Sequence, residues 1–243
     1  MEVDAIVLPN GNTAKLAAKP TLTPVADQNP KPVELKNCRA IAFFIGGAGD
    51  KESYYFAGPY KNITYAQDPF NRRMEAAGKG KLFRSIYRGY NEVRGSSDIK
   101  RHVVAHIPDK ATPVYIVGHS LGGWNGAHLS NLLAGDGYRV EMLITLDPVG
   151  EGALVWLGSD IHYSKPEPKS GYWINVRAEP SVPDPSDSVA EFGEKWSVHS
   201  GPDINCVMNV NHANAWGMFL NPIQGEMSAA DYMYESVISY MVG

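Results

Sequence analysis

The pentad Gly118-His119-Ser120-Leu121-Gly122 is the stretch of this chain whose residue types and spacing point most directly to chemistry. A serine hydroxyl becomes a nucleophile when it stands clear of its neighbours and beside a base, and a sharp turn at the carboxyl end of a strand supplies the first condition. Glycines two positions away on either side permit such a turn, because the backbones there approach too closely for side chains. Residues 113–117 (PVYIV) have strand character. Residues 121–135 carry Trp124, Leu129, Leu132 and Leu133 at helical spacing before Gly135 and Gly137 punctuate the end. The reading is a strand, a turn bearing one serine, and a helix. The free N–H groups of that helix N-terminus would face negative charge developing on a substrate attacked by Ser120.

A serine so placed needs a base, and the base needs an acid. Residues 140–146 (VEMLITL) read as the next apolar strand, and Asp147 stands at its tip, where Pro148 ends the strand without needing a ladder donor. A carboxylate there faces the same end of a parallel sheet as Ser120 and can orient a histidine. Its rivals are Asp184 and Asp187, in the polar loop expected after a further strand at 172–176 (YWINV). Of seven histidines, only His162, His199 and His212 follow Asp147 in the order serine, acid, histidine. His162 precedes a whole further strand, whereas His212 directly follows the last strand-like run at 204–210 (INCVMNV). His212 is therefore the expected base and His199 the alternative. His119 must point away from its neighbour Ser120 and reads as a turn-packing residue; His102, His106 and His128 read as structural or solvent-facing. For an oxyanion, the Leu121 N–H is one donor. The apolar run at 39–45 (RAIAFFI) leads into Gly46-Gly47-Ala48-Gly49-Asp50, where Gly46, Gly47 or Ala48 would be the second. The lysine and Ser/Thr of a phosphate-binding loop are missing at the required spacing.

The elements that must position these groups fit one domain over residues 35–243 of a 243-residue chain. Residues 1–34 are punctuated by proline and read as an extended leader with a short edge strand at 3–8. Apolar spacing predicts a surface helix over 83–93 and a helix packing on the sheet over 229–241. The aromatic residues of 51–70, Tyr54, Tyr55 and Phe56 among them, could line a pocket or serve the core. Leu154, Val155, Trp156 and Leu157 would form either a lid or a packed helical turn. The formal charge of −4, with no basic stripe, argues against a nucleic-acid partner. Cys38 and Cys206 are too few for a metal cluster or a disulfide framework and read as two free thiols. The chain has no run of about eighteen apolar residues and no recognisable secretory signal. A protein made in the cytoplasm is expected, exported, if at all, by a signal-independent route.

GHSLGG at 118–123 resembles the elbow of α/β-hydrolase lipases, and ITLDPV at 144–149 resembles the strand-end acid of lipases whose acid lies one strand earlier than usual. With FFIGGAGD at 43–50, WINV at 173–176 and NVNH at 209–212, the set is similar to bacterial lipase-like hydrolases over roughly residues 39–220. Among these are the lipase effectors of type VI secretion, which hydrolyse phospholipids of rival cells. The resemblance implies an α/β-hydrolase fold, a mostly parallel central sheet with helices on both faces. It implies Ser120 as nucleophile, Asp147 as acid and His212 as base, with Leu121, Gly46, Gly47 and Ala48 at the oxyanion hole, and no metal or cofactor. The implied substrate is a lipid or other ester, met at a transient membrane contact, and an effector would have a neutralising immunity protein. Two other readings stand beside it: a cytoplasmic esterase or thioesterase acting on small soluble esters, and an inactive hydrolase fold serving as a binding module.

Overall fold

A computed structural model describes residues 5–7, 13–15, 37–53 and 58–241. In chain order the elements are β1 (Ala5–Val7), β2 (Thr13–Lys15), β3 (Ala40–Gly46), α1 (Thr64–Ala76), β4 (Phe83–Gly89) and α2 (Ser96–His102). Then come β5 (Val114–His119), α3 (Leu121–Gly135), β6 (Val140–Leu146), α4 (Ala153–Gly158), β7 (Tyr172–Ala178), α5 (Pro185–Phe192) and β8 (Ile204–Met208). The last are α6 (Ala215–Leu220), β9 (Pro222–Gln224), β10 (Met227–Ser228) and α7 (Ala229–Ser239). β1 and β2 pair antiparallel. The rest of the leader, and Tyr54, Tyr55 and Phe56, lie outside the described residues.

Six strands form one sheet in the order β4-β3-β5-β6-β7-β8, and every pairing is parallel. A parallel sheet is covered on both faces, so its strands read as continuous apolar runs rather than alternating ones. β3 and β5 are buried at every position. Successive side chains enter opposite layers. Ala42, Phe44, Tyr115 and Val117 pack with Phe70 and Met74 of α1, Phe219 of α6 and Met233 and Val237 of α7. Phe43, Ile45, Ile116 and Leu143 pack on the other face with Trp124, Leu129 and Leu133 of α3, Val155 of α4 and Ala190 of α5. Each fully buried large apolar side chain contributes about 1.5–3 kcal/mol, so the two layers hold the carboxyl edge of the sheet as a rigid shelf. The chain is thus an α/β protein with a parallel sheet flanked by helices. Among the described residues no helix is long and apolar enough to cross a membrane.

The chain leaves β3 towards β4 on one side and continues from β5 to β6 on the other, so the order reverses between β3 and β5. The loops at the carboxyl ends of two such strands diverge and leave a crevice, where open parallel sheets place their ligands. Here the two ends are the glycine-rich loop at 46–50 and Ser120.

Two expected elements differ. Residues 83–89 form the edge strand β4, not a surface helix. Phe83 and Tyr87 join one layer while Ile86 joins the other, and an edge strand apolar on both faces mimics helical spacing. The polar loop expected after β7 contains helix α5: Asp184 caps it, Pro185 opens it and Asp187 completes a capping box. Residues 151–170 include α4 as a packed turn, with Val155 buried and the Trp156 indole donating to the Gly150 carbonyl at 2.7 Å. Cys38 and Cys206 are free, and burial pushes the Cys206 thiol up to about 12.

Candidate functional site

Ser120 joins β5 to α3 with φ 57° and ψ −128°, a left-handed conformation that L-residues avoid. The turn survives because its surroundings leave no alternative. A Cβ at Gly122 would lie 2.3 Å from the Ile45 carbonyl oxygen, and one at Gly118 would lie 2.3 Å from that of Gly122, so only glycine admits this packing. Such a residue stores on the order of 1–3 kcal/mol of strain. Ser120→Gly should therefore resist unfolding by about 1 kcal/mol more than Ser120→Ala, since only glycine relaxes there. Urea midpoints compare the two, and equal midpoints would contradict a strained turn.

Asp147, at the end of β6, is also held at positive φ, 43°. Its carboxylate is fully buried. Oδ1 accepts the Ala178 N–H at 3.0 Å, while Oδ2 accepts His212 Nδ1–H at 2.6 Å and Lys195 Nζ at 2.9 Å. Burial alone would raise this carboxyl, but the His212 hydrogen bond and the Lys195 charge outweigh it, and Asp147 stays below the ordinary carboxylate range. With Nδ1–H committed to the carboxylate, His212 Nε2 is the acceptor, and it lies 3.0 Å from Ser120 Oγ. Ser120, His212 and Asp147, expected from the sequence to act together, are therefore in one hydrogen-bonded line.

The His212 loop is fixed from behind. Asp187 accepts the His212 N–H at 2.8 Å, the Asn211 side-chain amide at 2.8 Å and the Asp184 N–H at 2.8 Å. Asp187 thus orients the backbone of the histidine, and Asp184 caps α5; neither carboxylate bonds the imidazole. His119 Nε2 donates to the His212 carbonyl at 2.8 Å, and its ring lies 4.8 Å from that of His212. Complete burial lowers His119 to about 3 and keeps it neutral. His162 stacks on His128 at 4.3 Å, His106 lies against Arg84 and Arg88, and His199 is exposed.

Across the crevice, Gly47 is pressed against Ser120: a Cβ there would fall 2.6 Å from the serine Cβ. Gly46 lies within β3 and leaves room for Asp50, which a Cβ would strike. Leu121, as the first residue of α3, has an N–H without an intrahelical acceptor. Of the loop, Gly47 is the residue seen against Ser120, directly before Leu121. Asp50, the last residue of the glycine-rich stretch, anchors that loop. It is buried and accepts the N–H groups of Asn62 and Ile63 and the Tyr87 hydroxyl at 3.0 Å. Desolvation outweighs these donors and raises it to about 6.

A small cleft of about 60 Å³ opens beside the loop, lined by Gly47, Gly49, Lys51, Gly89 and Tyr90. A larger cavity of about 350 Å³ lies behind the acid, bounded by Ala178, Pro183, Asp187, Lys195 and Trp196. Among the described residues no three His, Cys, Asp or Glu side chains group as a metal-ligand set. The arrangement can move a proton from a serine hydroxyl to an imidazole and hold the resulting charge beside a carboxylate.

No family model and no curated protein matches the chain. Its class rests on its own fold and site: a parallel α/β protein with serine, histidine and aspartate in hydrogen-bond contact at the carboxyl edge of the sheet.

Proposed function

We propose that the protein is a serine carboxylic ester hydrolase with an α/β-hydrolase fold. The observation that carries this reading is the line from Ser120 Oγ through His212 to Asp147, with spans of 3.0 and 2.6 Å. His212 Nε2 takes the Ser120 proton as Oγ attacks an ester carbonyl, and Asp147 holds the tautomer and offsets the imidazolium charge. The N–H of Leu121 and one from the loop at Gly47 and Ala48 receive the tetrahedral oxyanion. His212 then protonates the leaving alcohol. A water, deprotonated by the same nitrogen, attacks the acyl-serine carbonyl, and Ser120 regains its proton as the carboxylic acid departs. No step calls for a metal or an organic cofactor.

The favoured substrate is the acyl ester of a membrane lipid. Apart from the lipase resemblance, the support is a set of exposed apolar side chains on α4 and α5, the helices that follow β6 and β7. The start of α4 meets the end of α5 through Gly152 N–H donating to the Gly193 carbonyl, and Leu154, Leu157, Val189 and Phe192 of these helices are exposed. Leu157 is 87% exposed, so α4 spends on solvent a residue that a lipid surface would cover. A substrate in rival cells, with export to reach it and an immunity protein to protect the producer, is the biological setting this reading implies.

A fluorophosphonate probe tests the chemistry. It should label the folded protein once, at Ser120, and label Ser120→Ala not at all. Absence of labelling would favour a binding module. Hydrolysis rising steeply with acyl length and on phospholipid vesicles would separate a lipase from an esterase for small soluble esters.

A further inference from the structure

Asp147 is bonded by a second cation besides any that forms on His212. Lys195 Nζ lies 2.9 Å from Asp147 Oδ2, the oxygen that His212 Nδ1 also uses, and donates to the Ala178 carbonyl at 2.9 Å. This contact is built into the backbone. Lys195 forms an isolated antiparallel bridge with Val149, Trp196 N–H donates to the Pro148 carbonyl at 2.7 Å, and the Glu194 carbonyl accepts from Gly150 and Glu151. The lysine is thereby tied to the turn that carries the acid. Its side chain is one-fifth exposed, whereas the carboxylate has no exposure.

A carboxylate taken wholly out of water needs a full counter-charge, and a neutral imidazole offers only a dipole. Lys195 supplies that charge while His212 is neutral. The same cation sits close to the imidazolium once it forms and shares its acceptor oxygen, so Asp147 holds the transferred proton on His212 less tightly than an unshared carboxylate would. The other groups around His212 do not substitute for it. His119, from the end of β5, is neutral, and Asp187, from α5, spends its oxygens on backbone and amide N–H groups, the His212 N–H among them.

We propose that Lys195 is a positioning residue of the site, a built-in counter-ion that keeps Asp147 ionised whichever protonation state His212 adopts and that weakens the grip of the imidazole on its proton. This deepens the hydrolase reading and rests on it: it assigns the acid a permanent cationic partner that sets the pH range over which His212 is free to act as base.

The test is the pH profile of kcat/KM for a soluble ester in the unmodified protein, Lys195→Met and Lys195→Gln. In both variants the acid limb should rise by about one pH unit, roughly a tenfold loss below it, because an opposite or like charge at this range shifts a titration by one unit or more. Lys195→Arg keeps the charge and should keep the limb in place. A uniform loss at every pH, with the limb unmoved, would mean that Lys195 only braces the turn and would overturn the proposal. NMR titration of the His212 ring in Ser120→Ala, with and without Lys195→Met, reads the same displacement without turnover. A displaced ring titration in a protein that hydrolyses no ester would sink the hydrolase reading and leave the role of Lys195 standing; an unmoved ring titration would sink that role alone. If the neutral variants fail to fold, Lys195→Arg carries the test: an acid limb or ring titration displaced despite the retained charge would overturn the proposal, and an unmoved one supports it.

Discussion

On the proposed mechanism, Ser120→Ala and His212→Ala should each lower the turnover of an ester about 10⁶-fold, and the double variant should lose little more, because the two groups would act only as a unit. Once the hydroxyl is gone, His212 Nε2, now 3.0 Å from nothing that it can deprotonate, has no covalent step to assist. Once the imidazole is gone, the Ser120 proton has no acceptor at neutral pH. The proposed oxyanion donors would survive in both, so a residual rate of about 10³ over the uncatalysed reaction should persist. Steady-state kinetics of the three variants decides the matter. If the losses multiplied, serine and histidine would be serving separate steps and the proton path between them would be wrong. Both variants should stay folded, since the strained turn at Ser120 is enforced by the packing of Gly118 and Gly122, not by the hydroxyl.

The part of this site that could be read in the sequence is the part whose signals are local. The strand, elbow and helix at 114–135 announce themselves through a β-branched run, flanking glycines and a helical spacing that all lie within about two dozen residues. Asp147 and His212 are accessible by the same route, Asp147 directly after one apolar strand and His212 four residues past the end of the last one, and a parallel sheet brings such strand ends to one edge. Nothing around Lys195 marks it as the partner of a carboxylate 48 residues earlier, because the contact depends on an antiparallel bridge to Val149 formed only in the folded chain. Asp187 was placed in the right neighbourhood, as a rival acid, but its task is to hold the His212 main chain, which no side-chain pattern encodes.

Misreadings elsewhere have equally specific causes. A helical period over 83–93 arose because β4, at the sheet edge, meets apolar layers on both sides, so Phe83, Ile86 and Tyr87 alternate in a strand while spacing like a helix. The capping signal of α5, Asp184-Pro185-Ser186-Asp187, was present in the sequence. The helix is only eight residues long and buries only Asp187 and Ala190, while its large apolar side chains, Val189 and Phe192, are exposed, so no core-facing apolar stripe marks it. Those two side chains are among the exposed apolar residues cited for the proposed lipid substrate.

On the same mechanism, Asp147→Asn should lower turnover about 10⁴-fold, whereas Asp184→Asn should leave it within about twofold of the unmodified protein. At Asp147 an amide can present N–H to His212 Nδ1, which favours the tautomer with the proton on Nε2, so the nitrogen 3.0 Å from Ser120 Oγ becomes a donor and cannot act as base. The same change removes the counter-charge of Lys195, whose ammonium would keep the Ala178 carbonyl as its remaining protein acceptor. A stability loss of about 3 kcal/mol should accompany the kinetic loss, the usual cost of breaking a buried pair from one side. At Asp184 the substitution is mild on both counts. Asparagine caps a helix about as well as aspartate, and the Asp184 carboxylate meets the N–H and hydroxyl of Ser186, not the imidazole. Turnover and urea midpoints of the two variants, measured side by side, separate the roles. Retained activity in Asp147→Asn with loss in Asp184→Asn would transfer the acid to α5 and require His212 to turn away from the carboxylate it now touches at 2.6 Å.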